Sequence, residues 1–402
     1  MNRIRTIPFP TNFQIRGKSF GIVALTIFLG WNQSLIRTAG SEQTNQGHAG
    51  KASFRSVTSE DFMDGPGNSI PPHSIGSAPR TEPNQSSTQG QPPWNVRIHY
   101  VMGTLLEIRL PGDESTSRKL FSTLFSLSHR HDQIFSTFIS NSPVSRFNAE
   151  VANDPLIVPQ ELIDLSRYAK QLSEETDGAF DITVMPLVQL WQQAALKRHW
   201  PSLAEIARAK ELTGVQGLEI NAEGLTLSKR TQGLQLDFGG IAKGYCVDKM
   251  AECIKQNGLK DGFINFGESS IFALGKTEQG SSWDIAVRDP QHPGQTALSL
   301  KLSNMAIGSS AAYEKQGRIA GRTVGHIIDP RSGLPAPTEI AVTVVAPSAA
   351  LADALSTALI VLPVDRGMKV LKQFPGAEAV VFYRTPDGKW HREYSPGFYH
   401  YL

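Results

Sequence analysis

Residues 94–402 are predicted to form one mixed α/β (α+β) domain, and three observations carry that prediction. Apolar residues alternate at Val96, Ile98 and Tyr100 and again at Leu106, Ile108 and Leu110, the period-two pattern of strands. Leu120, Leu124, Leu127 and Ile134 keep helical spacing, and such stretches recur between short strand-like runs down the chain. The tract before Trp94, by contrast, is rich in Gly, Pro, Ser and Gln and has no period.

Gly103 separates the first two alternating runs, which read as a strand pair or one kinked strand. A helix is expected from Ser117. Pro159 opens a second, with Leu165, Ala169 and Leu172 on one face and Gly178 as its left-handed cap. After Trp191 comes a polar helical stretch, then short strands in "LEINAEGLTLSKR" that turn at Ala222-Glu223-Gly224. "LQLDFGGIAKGYCVDKMAECIKQNGL" reads as strand, Gly-rich turn and helix, with Cys246, Met250 and Cys253 as the buried stripe and Asn257-Gly258 as its end. "GFINFG", "SIFALG", "WDIAVRDP" and "EIAVTVVAP" are further strands, the last leading into a helix at "ADALSTAL".

Apolar residues make up 40% of the 402 and charged residues 19%, enough for a sizeable core. The formal net charge of +2, without a Lys/Arg run, argues against a nucleic-acid partner. Cys246 and Cys253 would lie about 10 Å apart on a helix, too far for a disulfide, and they lack CxxC spacing; both read as small buried residues. Arg3, Arg5, Arg16 and Lys18 precede the apolar run "SFGIVALTIFLGW". Residues 1–39 are therefore expected to be a signal peptide or N-terminal membrane anchor that exports the protein, with 40–93 as a disordered linker. No cysteine follows to carry a lipoprotein anchor.

Four stretches can carry chemistry. "DFGGIAKG" (Asp237 to Gly244) permits close backbone approach and opens a helix, which suits phosphate or, equally, a packing turn. It is neither a P-loop, since Lys243 precedes Gly244 and no Ser or Thr follows the lysine, nor a G-x-G-x-x-G fingerprint. In "GHIIDPRSG", His326 is either structural or a group for proton transfer. In "TDGAFDITVMPLVQLW", Gly178-Ala179 lets a ligand ring lie on the backbone and Asp181 can accept from hydroxyls; the alternative is a helix cap followed by a buried strand. Asp353 and Thr357, one turn apart, are a hard-oxygen pair suited to Mg²⁺; alternatively Asp353 favours a helix start and Thr357 bonds back to a carbonyl. A G-x-S-x-G nucleophile elbow is absent.

"MGT" (Met102 to Thr104), "FSTFISNSPVSRFN" (Phe135 to Asn148), "GAFDITVMPLVQLW", "LDFGGIAKGYCVD", "INFG", "HIIDPRSG" and "ADALSTAL" follow one another in an order that resembles the ApbE-type FAD:protein FMN transferases, over residues 97–402. The resemblance implies a Mg²⁺-dependent enzyme that moves FMN from FAD onto a threonine or serine hydroxyl of a partner flavoprotein and releases AMP. It implies Asp353, Thr357 and a backbone oxygen of Gly240 as metal ligands. Met102, Ala179, Phe180, Asp181, Asp237, Lys243 and Ile327 fall on flavin-, adenine- or phosphate-side positions, and His326 beside the reacting phosphate. With export, the expected acceptor is a flavoprotein of the cell envelope, met in the periplasm or at the inner membrane. Hydrolysis of FAD to FMN and AMP, or FAD binding without catalysis, are the alternatives. The chain departs from the family pattern at Gly267-Glu268-Ser269, at Ser309-Ser310-Ala311-Ala312-Tyr313, at Gly325 before His326, and at Ala350.

Overall fold

The computed structural model describes residues 93–402 apart from Pro293 and Lys315. The export segment 1–39 and the linker, Pro93 excepted, lie outside the described residues. Among the described residues no helix is long and apolar enough to cross a membrane.

Strands β1 (Trp94–Val101) and β2 (Thr104–Pro111) make an antiparallel hairpin. Its turn residues Met102 and Gly103 have φ of 50° and 74°, the left-handed pair of a two-residue type I′ connection. Helix α1 (Glu114–Phe135) begins a turn earlier than the apolar period alone indicates, because the Asp113 carboxylate accepts from Thr116 N–H as an N-cap. Then come α2 (Pro143–Ala149), β3 (Leu156–Ile157) and α3 (Gln160–Glu175), which Gly178 closes as expected. The "ITVMPLVQLW" stretch is not a buried strand: Ile182 and Thr183 form a turn, Val184 a single bridge, and α4 (Met185–Lys197) carries Pro186 in its first turn, where no N–H is needed. Helix α5 (Leu203–Glu211) and the hairpin of β4 (Leu218–Asn221) and β5 (Thr226–Lys229) follow.

"LQLDF" does not form the expected strand. Its neighbour is a side chain: Asn148 donates to the Leu236 carbonyl and accepts from the Leu236 N–H, leaving a single parallel bridge between Gln235 and Val184. Helix α6 (Ala242–Gln256) starts after the glycine turn. Its buried stripe is Cys246, Val247, Met250, Ala251 and Ile254; Cys253 is only half-buried, because the 3.6-residue period turns position 254 inward instead.

The remainder comprises β6 (Gly262–Phe266), β7 (Ser270–Leu274), β8 (Trp283–Arg288), β9 (Thr296–Leu302), β10 (Met305–Ala311), β11 (Gln316–Ile319), β12 (Arg322–Gly325), β13 (Ile340–Ala346), α7 (Ala349–Val361), α8 (Val364–Leu371), β14 (Glu378–Arg384) and β15 (Trp390–Tyr394). Eight strands form one sheet in the order β1-β2-β6-β7-β10-β13-β14-β15, with every neighbour antiparallel, which makes the domain α+β. Alternate residues of the central strands feed two cores. Phe272, Ala306, Val342 and Val344 pack with the helices, whereas Ile271, Ile307, Ala341 and Val345 pack with the β8–β9 hairpin and Phe398. Strand β13 is buried at every position, as a strand covered on both faces must be.

Candidate active site

The site is built where α7 crosses the helix side of the sheet. Ser348 caps α7 by accepting from Leu351 N–H. The helix is almost wholly apolar, and Asp353 is 6% exposed within it. A carboxylate can be held there only if its oxygens are satisfied. Oδ2 accepts from Gly244 N–H at 2.8 Å, and Ser270 Oγ lies 2.8 and 2.7 Å from Oδ1 and Oδ2. Burial nevertheless pushes the Asp353 carboxyl up to about 6, helped by Asp248; Lys243, Ser270 and the Gly244 N–H oppose that rise.

Thr357 Oγ1 donates to the Asp353 carbonyl at 3.1 Å, which is the back-bonding geometry and leaves its lone pairs available. Gly240 sits directly against it. A Cβ at position 240 would lie 3.3 Å from Thr357 Oγ1 and 3.3 Å from Phe180, so the fold brings Phe180, Gly240, Asp353 and Thr357 into one place.

The N-terminus of α6 is not a vacant phosphate cradle. Ile241 and Ala242 N–H groups bond to the Phe238 carbonyl and the Gly244 N–H goes to Asp353, so the first anion it meets is this protein's own carboxylate. Half-buried Lys243 adds a positive charge that acts on Asp353.

Asp237 accepts from Gly239 N–H, and its own N–H bonds to the Ile182 carbonyl, which sets the 180–184 segment beside the glycine turn. Ala179 and Phe180 are buried there. Asp181 is also buried and already bonded, accepting from Thr183 N–H and Oγ1 and from Val215 N–H; burial raises its carboxyl. Its carboxylate holds a turn together, so its sequence-expected part in hydroxyl recognition has competing internal donors.

Met102 belongs to the β1–β2 tip and packs on the core beside α1 and α6, where Asp132 accepts from its N–H. His326 is exposed just past β12, and Ile327 packs half-buried on the core that contains α7. Their turn is tied to α7 through Arg331, which donates to Asp329 and to the Val361 carbonyl at 2.9 Å.

Sequence reasoning missed Ser270, Asp248 and Arg331. Ser270 follows directly on the departure at Gly267-Glu268-Ser269, but nothing in a lone serine foretells a partner 83 residues away. In the departing turn itself, Glu268 adopts φ 59° where a glycine would be unstrained, and its carboxylate pairs with Arg288. A surface hollow of about 600 Å³ lined by Arg167, Lys170, Glu174 and Arg230 includes none of these site residues.

The raised Asp353 carboxyl has a measurable consequence. Its folded value of about 6 exceeds the ordinary 3.8, so between those values the native protein holds a proton that the unfolded chain has lost. Its contribution to stability is full below about pH 4 and is lost as pH rises through 6. In EDTA, wild type should gain about 1 kcal/mol over Asp353→Asn between pH 7 and pH 5. Urea midpoints at the two pH values measure this, and parallel shifts in both proteins would mean that Asp353 titrates normally.

The ApbE family model matches residues 102–381. The chain belongs to the ApbE family. A FAD:protein FMN transferase of Haemophilus influenzae is 32% identical over 68% of this chain and 82% of its own length. Among solved structures, the flavinyl transferase ApbE of Pseudomonas stutzeri in its apo form is 30% identical, with a TM-score of 0.68 over 78% of this chain and 98% of that one. The flavin transferase ApbE of Vibrio cholerae gives 28% and 0.68 over 77% and 99%. Asp353, Thr357, Gly240 and His326 all fall inside the matched ApbE region.

Proposed function

We propose that this chain transfers FMN from FAD to a threonine or serine hydroxyl of a partner flavoprotein, with Mg²⁺ as cofactor. The observation that carries the reading is a buried Asp353 carboxylate one helical turn before Thr357, whose Oγ1 lies against Gly240, in a member of the ApbE family. Among the described residues no group of three or more His, Cys, Asp or Glu side chains converges. The donor set fits a hard cation all the same: one carboxylate and one hydroxyl, with the Gly240 backbone alongside, suit Mg²⁺, which takes few protein ligands and fills its shell with water and phosphate oxygens. Bound there, the ion would offset charge on the FAD pyrophosphate.

The chain's own residues supply the rest. Gly240, backed by the buried Phe180 ring, leaves room for close approach of the substrate, and Lys243 adds positive charge at the helix start. The acceptor hydroxyl oxygen bonds to the FMN phosphorus, the phosphoanhydride bond to AMP breaks, and AMP leaves with the bridging oxygen. The hydroxyl proton goes to a base, for which His326 is the candidate by chemistry and by its exposed place on the turn tied to α7. The basic-then-apolar segment at 1–39 supports export, as a cleaved signal or as a membrane anchor, and an acceptor in the cell envelope.

The deciding experiment incubates the full chain with FAD and an envelope flavoprotein, in Mg²⁺ or in EDTA. Expected are AMP release and a flavin-labelled acceptor, both lost in EDTA. AMP with free FMN and no labelling of any acceptor tried would make the protein a hydrolase, and FAD bound without turnover would make it a binding protein.

A further inference from the structure

Helices α6 and α7 cap each other. Asp353 of α7 accepts from the Gly244 N–H in the first turn of α6. Asp248 of α6 accepts from the Ala349 and Ala350 N–H groups in the first turn of α7, at 2.7 and 2.9 Å, and from Ser348 Oγ at 2.7 Å. The exchange is symmetric in sequence as well: Asp248 lies one turn beyond Gly244, and Asp353 one turn beyond Ala349. Each carboxylate therefore meets the positive end of the other helix's dipole. They differ in what is left over. Asp353 has one backbone N–H and the single Ser270 hydroxyl as donors and so keeps acceptor capacity, whereas Asp248 is spent on three donors.

Something must set the register between these helices, and apolar packing alone is poorly suited to it. A Cβ on Gly244 would sit 2.3 Å from the Ala349 carbonyl oxygen, so the helices touch backbone to backbone. Around that contact α7 offers mainly the small residues Ala349, Ala350, Ala352 and Ala354, which supply few knobs to lock a position along the axis. Directional hydrogen bonds to the half-buried Asp248 carboxylate do supply one.

We propose that Asp248 is a positioning residue for the metal pair: by clamping the first turn of α7 to α6, it fixes Asp353 and Thr357 against Gly240 and Lys243. The proposal rests on the Mg²⁺ reading above, and its test separates the two. Mn²⁺ binding to the full chain is followed by EPR of the free ion, and turnover is titrated with Mg²⁺.

Asp248→Asn should weaken Mn²⁺ binding at least about tenfold, the usual effect of losing a group that orients a ligand. Its kcat at saturating Mg²⁺ should stay within about threefold of wild type, and Ser348→Ala should show a smaller shift of the same kind. A merely structural role would instead lower kcat at every Mg²⁺ concentration without moving the concentration required, and that result overturns the proposal. So does wild-type Mn²⁺ affinity in Asp248→Asn while Asp353→Asn loses binding. If Asp353→Asn itself binds Mn²⁺ like wild type, the metal reading fails and this proposal falls with it. Should Asp248→Asn not fold, Ser348→Ala decides between the same outcomes.

Discussion

Replacing Asp353 by asparagine is expected to lower FAD turnover by about 10²- to 10³-fold, the scale of several kcal/mol of charge stabilisation at a metal-assisted phosphoryl transfer. The substitution is nearly isosteric. Its amide oxygen can still accept from the Gly244 N–H and from Ser270 Oγ, so the fold should survive while the charge is lost. Alanine at the same position is a harsher change. It leaves both donors buried without an acceptor, at about 1–3 kcal/mol for each, although removing a carboxylate whose burial is itself unfavourable offsets part of that. Steady-state turnover across a Mg²⁺ titration, beside urea unfolding of both variants, checks the expectation. Turnover of Asp353→Asn within threefold of wild type, with an unchanged Mg²⁺ requirement, would remove Asp353 from the metal site.

Gly308→Ala should be strongly damaging for a single added methyl. A Cβ there would sit 2.2 and 2.3 Å from the Ala352 carbonyl carbon and oxygen and 2.5 Å from the Asp353 N. These are backbone atoms, so no side chain can swing aside. Either α7 lifts from β10 or the strand bows away, at about 1–3 kcal/mol or more. The displaced peptide joins Ala352 to Asp353, and a shift near 1 Å in a positioned group can cost about 10²-fold in rate. The urea midpoint and turnover should therefore fall together. A variant with unchanged midpoint and turnover would show that α7 can move without consequence, which would undercut the proposed importance of its seating on β10.

Much of the fold was legible before the structure. Strands with one covered face, such as β2, alternate in sequence as they do in space, and α1 and α3 show their buried stripes. Legibility failed where a tertiary partner replaced a local one. Gln235 to Phe238 resemble a strand, but the Asn148 side chain takes the Leu236 hydrogen bonds. The stretch from Ile182 to Trp191 holds both β-branched residues and helix formers, and Pro186 entered the first turn of a helix. Three and four residues past Met250 lie on nearly the same helix face, and packing puts Ile254 rather than Cys253 in the core.

The sequence by itself determined the family, through the order of its motifs, and the resemblance drew attention to Asp353, Thr357, Gly240 and His326. It could do so because each motif is local: a turn, a helix face, a pair one turn apart. Only the tertiary structure decided what surrounds Asp353. Ser270 is 83 residues from it and the Gly244 N–H 109, and neither has a sequence signal that points to the other end. The reciprocal caps of α6 and α7 are equally invisible in the chain. Burial of a charge is a property of the assembled core: the Asp353 carboxyl rises to about 6 because two helices and a sheet exclude water from it, and no spacing in the sequence encodes that exclusion.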